Sequence, residues 1–147
     1  MQMRSRRSVE KQYTGVRPKI LFVDDDPLMH LLYQPHIERA GYDVVALREG
    51  AEAGSLARKE LPQVVIMDMV LPDTDGAAAI HEIKGQEATR TIPVIAISAN
   101  PEYHRFRREI LRLGAEAFLS KPFSPQQLVS EIRRLDQIRI KPEPTRV

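Results

Sequence analysis

Lys19-Ile20-Leu21-Phe22-Val23-Asp24-Asp25-Asp26-Pro27 runs from four consecutive apolar residues into three aspartates and a proline. A short apolar run bounded by polar turn formers reads as a strand covered on both faces. Pro27 suits the first position of a helix, where its missing N–H costs nothing, and Asp26 suits the N-cap before it. Over 27–40, apolar or partly apolar residues fall at 29, 32, 33, 36, 37 and 40, which is helical spacing. Pro35 lacks the N–H that would bond to the Leu31 carbonyl. The periodicity continues across it, so a kink is expected there, not a break.

The alternation repeats outward from this stretch. Gly41 closes the first helix, and 42–47 reads as a second strand. A weaker helix, diluted by Gly54, covers 49–59, and the continuously apolar 63–67 forms a third strand. Helix 76–84, strand 92–97 and helix 101–113 follow, the last with Phe106, Ile110 and Leu113 on one face. A short fifth strand spans 116–119. Ser124-Pro125-Gln126-Gln127 then opens the final helix with a capping box, and Leu128, Val129, Ile132 and Leu135 form its buried side. Five strand–helix repeats imply an α/β fold, a doubly wound five-stranded parallel sheet with helices on both faces. In such sheets chemistry sits outside the carboxyl ends of the strands.

The chain of 147 residues fits one domain. The expected division is a basic, flexible N-terminal extension at 1–18, a folded body at 19–137 and a short tail at 138–147. Residues 1–19 carry six Lys/Arg against one Glu, net +5, while the body from 20 to 135 is net −4. The overall +2 therefore belongs to the leading segment. Arg4, Arg6, Arg7, Lys11 and Arg17 lack interleaved aromatic residues, so a solvated tail is expected in preference to a nucleic-acid arm. No apolar run is long enough to span a membrane, and the basic N-terminus has no apolar stretch behind it of the kind a secretory signal carries. Cysteine is absent, which removes disulfides and thiolate metal sites. The expected location is cytoplasmic.

The strand ends carry the chemistry. Strand one ends in Asp24, Asp25 and Asp26, strand three in Asp68 and strand four in Ser98, and Lys121 follows strand five. Carboxylates gathered at one edge repel unless a cation or proton intervenes. All-oxygen ligation favours a hard divalent ion, and Mg2+ accepts a few carboxylates while keeping waters. A hydroxyl and an ammonium suit phosphoryl oxygens. An aspartate nucleophile beside a metal, with both groups around it, suits formation of an acyl phosphate. Asp26 is better explained as a helix cap, and Asp73 and Asp75-Gly76 as turn residues. His30, His36, His81 and His104 lack metal-ligand spacing. His36 is expected on the inner side of the first helix, and the other three on helix surfaces.

These residues resemble the response-regulator receiver family of two-component signalling over about 19–135. The matching pieces are Val23-Asp24-Asp25-Asp26-Pro27, Val65-Ile66-Met67-Asp68-Met69-Val70-Leu71-Pro72 with Asp75-Gly76, Ile97-Ser98-Ala99 and Lys121-Pro122-Phe123. The resemblance implies the flavodoxin-like (βα)5 receiver fold and makes Asp68 the phosphoacceptor. It implies that Asp24, Asp25, Asp68 and the Val70 backbone carbonyl hold Mg2+. Ser98 and Lys121 would bind phosphoryl oxygens, Ala99 would leave space beside them, and the Lys121–Pro122 peptide would be cis. The donor would be a sensor histidine kinase or a histidine phosphotransfer protein. Ser98 and Phe118 would act as the switch pair, with phenylalanine where the family often has tyrosine. Val70 and Asn100 occupy positions that tune dephosphorylation, and the apolar Val70 predicts a long-lived phosphoryl form.

The resemblance also implies an output surface made of the fourth helix, fifth strand and fifth helix, for a downstream protein target or a second copy of the chain. The fourth helix carries Arg105, Arg107, Arg108 and Arg112 against Glu102 and Glu109. The chain is then a signalling switch, not an enzyme beyond accepting and slowly hydrolysing its own phosphoryl group. Two rivals remain. A small aspartate-dependent Mg2+ phosphohydrolase would place its nucleophile in the acidic run of strand one, though the chain leaves no room for a substrate cap. A receiver-like adaptor would work without phosphorylation. No glycine-rich phosphate loop follows any strand, and neither nucleic acid nor membrane is an expected partner.

Overall fold

The computed structural model describes residues 16–140. Five strands, β1 (Lys19–Val23), β2 (Asp43–Leu47), β3 (Val64–Asp68), β4 (Val94–Ser98) and β5 (Ala117–Ser120), form one sheet in the order β2-β1-β3-β4-β5. All pairings are parallel. The helices are α1 (Pro27–Arg39), α2 (Ala53–Glu60, entered through a 3-10 turn at Gly50–Glu52), α3 (Gly76–Gly85), α4 (Pro101–Arg105), α5 (Arg107–Arg112) and α6 (Pro125–Ile140).

The doubly wound architecture follows from the strands' alternation. Leu21, Val23, Val65, Met67, Val94 and Ala96 point to one face, where they pack with Ala53, Ala57, Ile80, Ile83 and Ile110 of α2, α3 and α5. Ile20, Phe22, Val64, Ile66, Ile95 and Ile97 point to the other and pack with Tyr33, Ile37, Leu128 and Ile132 of α1 and α6. The period of two thus serves two cores at once. β3 and β4 are buried at every position because they are central, whereas edge strand β2 is only partly covered.

Local signals act largely as the sequence implies. Asp26 Oδ1 accepts from Leu28 N–H at 2.9 Å as the N-cap of α1, and the helix continues through Pro35. Gly41 follows with φ of 111°, the left-handed conformation that ends a helix cheaply only for glycine. At α6, Gln127 N–H donates to Ser124 Oγ while Ser124 N–H donates to Gln127 Oε1, completing the capping box.

Several expectations need correction. The helix expected over 101–113 is two short helices meeting at Phe106, which is 50% exposed. Of the predicted inner face only Ile110 is buried, and Leu113 is exposed as well. Leu32 points outward, and His30, expected on the surface, is buried instead. Arg17 belongs to the fold and not to a loose extension, since its guanidinium donates to the carbonyls of Glu38, Gly41 and Tyr42 at the end of α1. The rest of the predicted extension, 1–15, and the tail at 141–147 lie outside the described residues, as does the side chain of His104. The boundary expected at 137 falls inside α6.

Candidate functional site

The register builds the site. Val23 pairs with Met67, so Asp24 and Asp68 leave the sheet side by side. Asp68 pairs with Ile97, which places Ser98 one residue beyond it on the next strand. Lys121 comes immediately after β5, and its N–H donates to the Ser98 carbonyl at 2.8 Å. Tyr33 of α1 donates its hydroxyl to the Phe123 carbonyl, fixing the segment that follows. The Lys121–Pro122 peptide is cis.

Asp24 is fully buried and Asp68 is 5% exposed. Lys121 Nζ lies between them, 2.9 Å from Asp24 Oδ2 and 3.0 Å from Asp68 Oδ2. The remaining oxygens accept from backbone: Asp24 Oδ1 from Asp26 N–H at 2.9 Å, Asp68 Oδ1 from Val70 N–H at 3.0 Å. Burial raises the Asp68 pKa above the usual carboxylate value. The Val70 N–H and Lys121 oppose that rise, and the Asp24 charge adds to it. Burial works against the Lys121 charge, yet its bonds to Asp24 and Asp68 hold its pKa above the ordinary lysine value.

Asp24, Asp25 and Asp68 each offer a carboxylate oxygen within 4.8 Å of the others. Two of the three acids are buried against one lysine, an excess of negative charge that a divalent cation with oxygen preference would neutralise. The donor set therefore fits a hard metal ion. Ser98 is buried at the same edge, where its Oγ accepts from Asn100 N–H at 3.0 Å, leaving the hydroxyl proton to donate. Val70 turns its side chain outward at 52% exposure. Phe118 does not reach this edge. It is buried below it in the core, paired in register with Ala96, with Tyr103 packed against the same cluster.

The sequence reading missed three supporting residues. Asp73, read as a turn residue, accepts from Gly50 N–H at 3.0 Å and Ala51 N–H at 2.8 Å, tying the loop after β3 to the turn before α2. Those amide bonds, Ala51 first, hold its pKa below the usual value. Gly76 lets α3 start against the end of β3, since a Cβ there would lie 2.5 Å from the Asp68 carbonyl oxygen. His30 donates from Nε2 to the Asp24 carbonyl at 2.7 Å. Its signal was present in the 30, 33, 37 spacing, with Tyr33 and Ile37 buried beside it.

Residues 20–133 match the family model described as Response regulator receiver domain. The chain is 33% identical over 118 residues to the alkaline phosphatase synthesis transcriptional regulatory protein PhoP of Bacillus subtilis (strain 168), covering 80% of this chain and 48% of that protein. It thus spans about half of that regulator's length. It is 34% identical over 117 residues to the polar-differentiation response regulator DivK of Brucella ovis, covering 78% of this chain and 92% of DivK. Among solved structures, the receiver domain of sensor histidine kinase PA1611 from Pseudomonas aeruginosa superposes with a TM-score of 0.74 at 31% identity. That match covers 82% of this chain and 98% of the other, whose structure has a magnesium ion coordinated in the active site cleft.

Proposed function

The chain belongs to the response regulator receiver family, and on that premise we propose that Asp68 is its phosphoacceptor, taking a phosphoryl group from a phosphohistidine of a sensor kinase or phosphotransfer protein. The observation that carries the reading is the buried Asp24–Lys121–Asp68 constellation at the carboxyl edge of the sheet. A carboxylate oxygen of Asp68 attacks phosphorus, forming the O–P bond as the P–N bond to the donor imidazole breaks. Lys121, already poised on Asp68, pairs with one phosphoryl oxygen, and the free proton of Ser98 donates to another.

Asp24, Asp25, Asp68 and the Val70 carbonyl would hold Mg2+, which supplies charge neutralisation for the transferring group when bound. Engagement of Ser98 would shift Phe118 within the core and bias the surface of α4, α5, β5 and α6 toward a downstream partner or a second copy. Slow autohydrolysis of the acyl phosphate resets the switch. A cytoplasmic location is part of the same proposal.

The test is incubation with a small acyl phosphate donor and Mg2+, read by intact mass. Wild type gains one phosphoryl group and Asp68→Asn gains none. A wild type that gains nothing leaves only the phosphorylation-independent adaptor, and an Asp68→Asn that still gains one moves the nucleophile elsewhere.

A further inference from the structure

His30 is the fourth residue of α1, only 9% exposed, and its ring lies 4.8 Å from that of Phe22, centroid to centroid. Its Nε2 is 2.7 Å from the Asp24 carbonyl oxygen. A carbonyl only accepts, so Nε2 carries the hydrogen of this bond. The ring's Nδ1 is buried with no hydrogen-bond partner. A buried ring nitrogen left unsatisfied costs stability, so the contact at the other nitrogen has to be worth that cost.

Its position explains why. Every polar group of Asp24 has a fixed partner: the N–H donates to the Leu47 carbonyl at 3.0 Å, and both carboxylate oxygens accept from Asp26 N–H and Lys121. The carbonyl, at the point where β1 leaves the sheet and the chain turns into α1, is held by His30 alone among the described contacts. Asp25 follows directly, its carbonyl accepting a longer bond from exposed Arg48 Nε at 3.3 Å. Loosening the Asp24–Asp25 peptide would rotate both carboxylates relative to Asp68.

We propose that His30 is a positioning residue, setting the Asp24–Asp25 turn so that the three carboxylates converge on one cation. The inference rests on the metal-binding reading above. Groups that orient a metal ligand typically change affinity by about 10–100-fold when removed. Here the link runs through the ligand's backbone, so the lower end of that range, about tenfold, is expected.

The experiment is calorimetric titration of the whole chain with MgCl2 at fixed pH, for wild type, His30→Leu, His30→Gln and Ile132→Val. Leucine fills the space without a donor, glutamine returns an N–H near the Nε2 position, and Ile132→Val weakens the core far from the turn. Mg2+ affinity should fall about tenfold in His30→Leu, return to within about threefold of wild type in His30→Gln, and stay unchanged in Ile132→Val. If His30→Leu does not fold, His30→Met makes the same comparison. Equal affinity in wild type and the donor-free variant overturns the inference alone, as does an equal loss in Ile132→Val. Failure of wild type itself to bind Mg2+ overturns the proposed metal site together with it.

Discussion

Asp68 is under opposing influences within one side chain. Burial and the Asp24 charge favour its neutral form, while the Val70 amide and Lys121 favour the carboxylate, and burial prevails. A carboxyl whose folded pKa is raised contributes stability at low pH and loses it as pH rises through that folded pKa. Above that folded pKa the ionised Asp68 is therefore a net burden in the metal-free protein. Asp68→Asn should raise the melting temperature by a few degrees, the shift that about 1 kcal/mol produces in a domain of this size. A scan in EDTA at pH 7 checks this. Asp73 works in the opposite sense. Its depressed pKa means that its contribution is present above the unfolded carboxylate pKa and is lost as pH falls through the folded value. Asp73→Asn should destabilise at pH 7 and narrow its gap to wild type in melts near pH 3. The exposed Val70 side chain offers no polar atom to place an attacking water beside Asp68. Val70→Asn should therefore shorten the phosphoryl lifetime severalfold in a dephosphorylation time course, and a wild-type half-life of seconds would contradict the long-lived form.

At the scale of elements, α1 and α4 show what periodicity can and cannot decide. Adjacent pairs such as 32–33 and 36–37 leave a helix free to rotate by one position, and the hydrophobicity of Leu32 favoured the wrong choice. The structure turns 30, 33 and 37 inward, because His30 has a carbonyl to bond and Leu32, 59% exposed, meets solvent. The fourth helix had the right spacing at 106, 110 and 113, but spacing carries no information about a backbone that departs from helix at Phe106, with φ −100° and ψ 28°. Caps were legible because they are local: Asp26 and Ser124 each accept the amide they were placed to accept, whereas Asp75, read as a turn residue, caps α3 by accepting from Ala78 N–H. Gly76 was not legible as a close contact, since its constraint comes from β3 across the fold. Gly76→Ala should destabilise by about 1–3 kcal/mol, because the clash is with backbone that cannot rotate away. Gly85→Ala, with open space around its Cβ, should instead stabilise by about 0.4–1 kcal/mol. Chemical denaturation of the two variants separates these cases.

For the whole molecule, topology does most of the work. The order β2-β1-β3-β4-β5 brings residues 24, 68, 98 and 121 to one edge, although nearly a hundred positions separate the first from the last. Alternating apolar runs were enough to infer that edge and to name Asp24, Asp25, Asp68 and Lys121 as residues that meet there. They did not place Phe118, which is buried beneath the edge where only tertiary packing decides its orientation. On the proposed metal site the same topology would couple metal to stability, since a cation bound only by the folded edge shifts the unfolding equilibrium. Mg2+ should raise the melting temperature of wild type and leave that of Asp24→Asn nearly unchanged, as measured by calorimetric scans at matched ionic strength.

The central claim concerns which carboxylate becomes the acyl phosphate, and borohydride trapping addresses it directly. Hydride reduces the acyl carbon, phosphate leaves, and the aspartate becomes homoserine, a permanent mark that peptide mass spectrometry can locate. After treatment with the phosphodonor and Mg2+, homoserine should be found at position 68 and at no other aspartate. Homoserine at 24 or 25, where the phosphohydrolase alternative would put its nucleophile, would contradict the account.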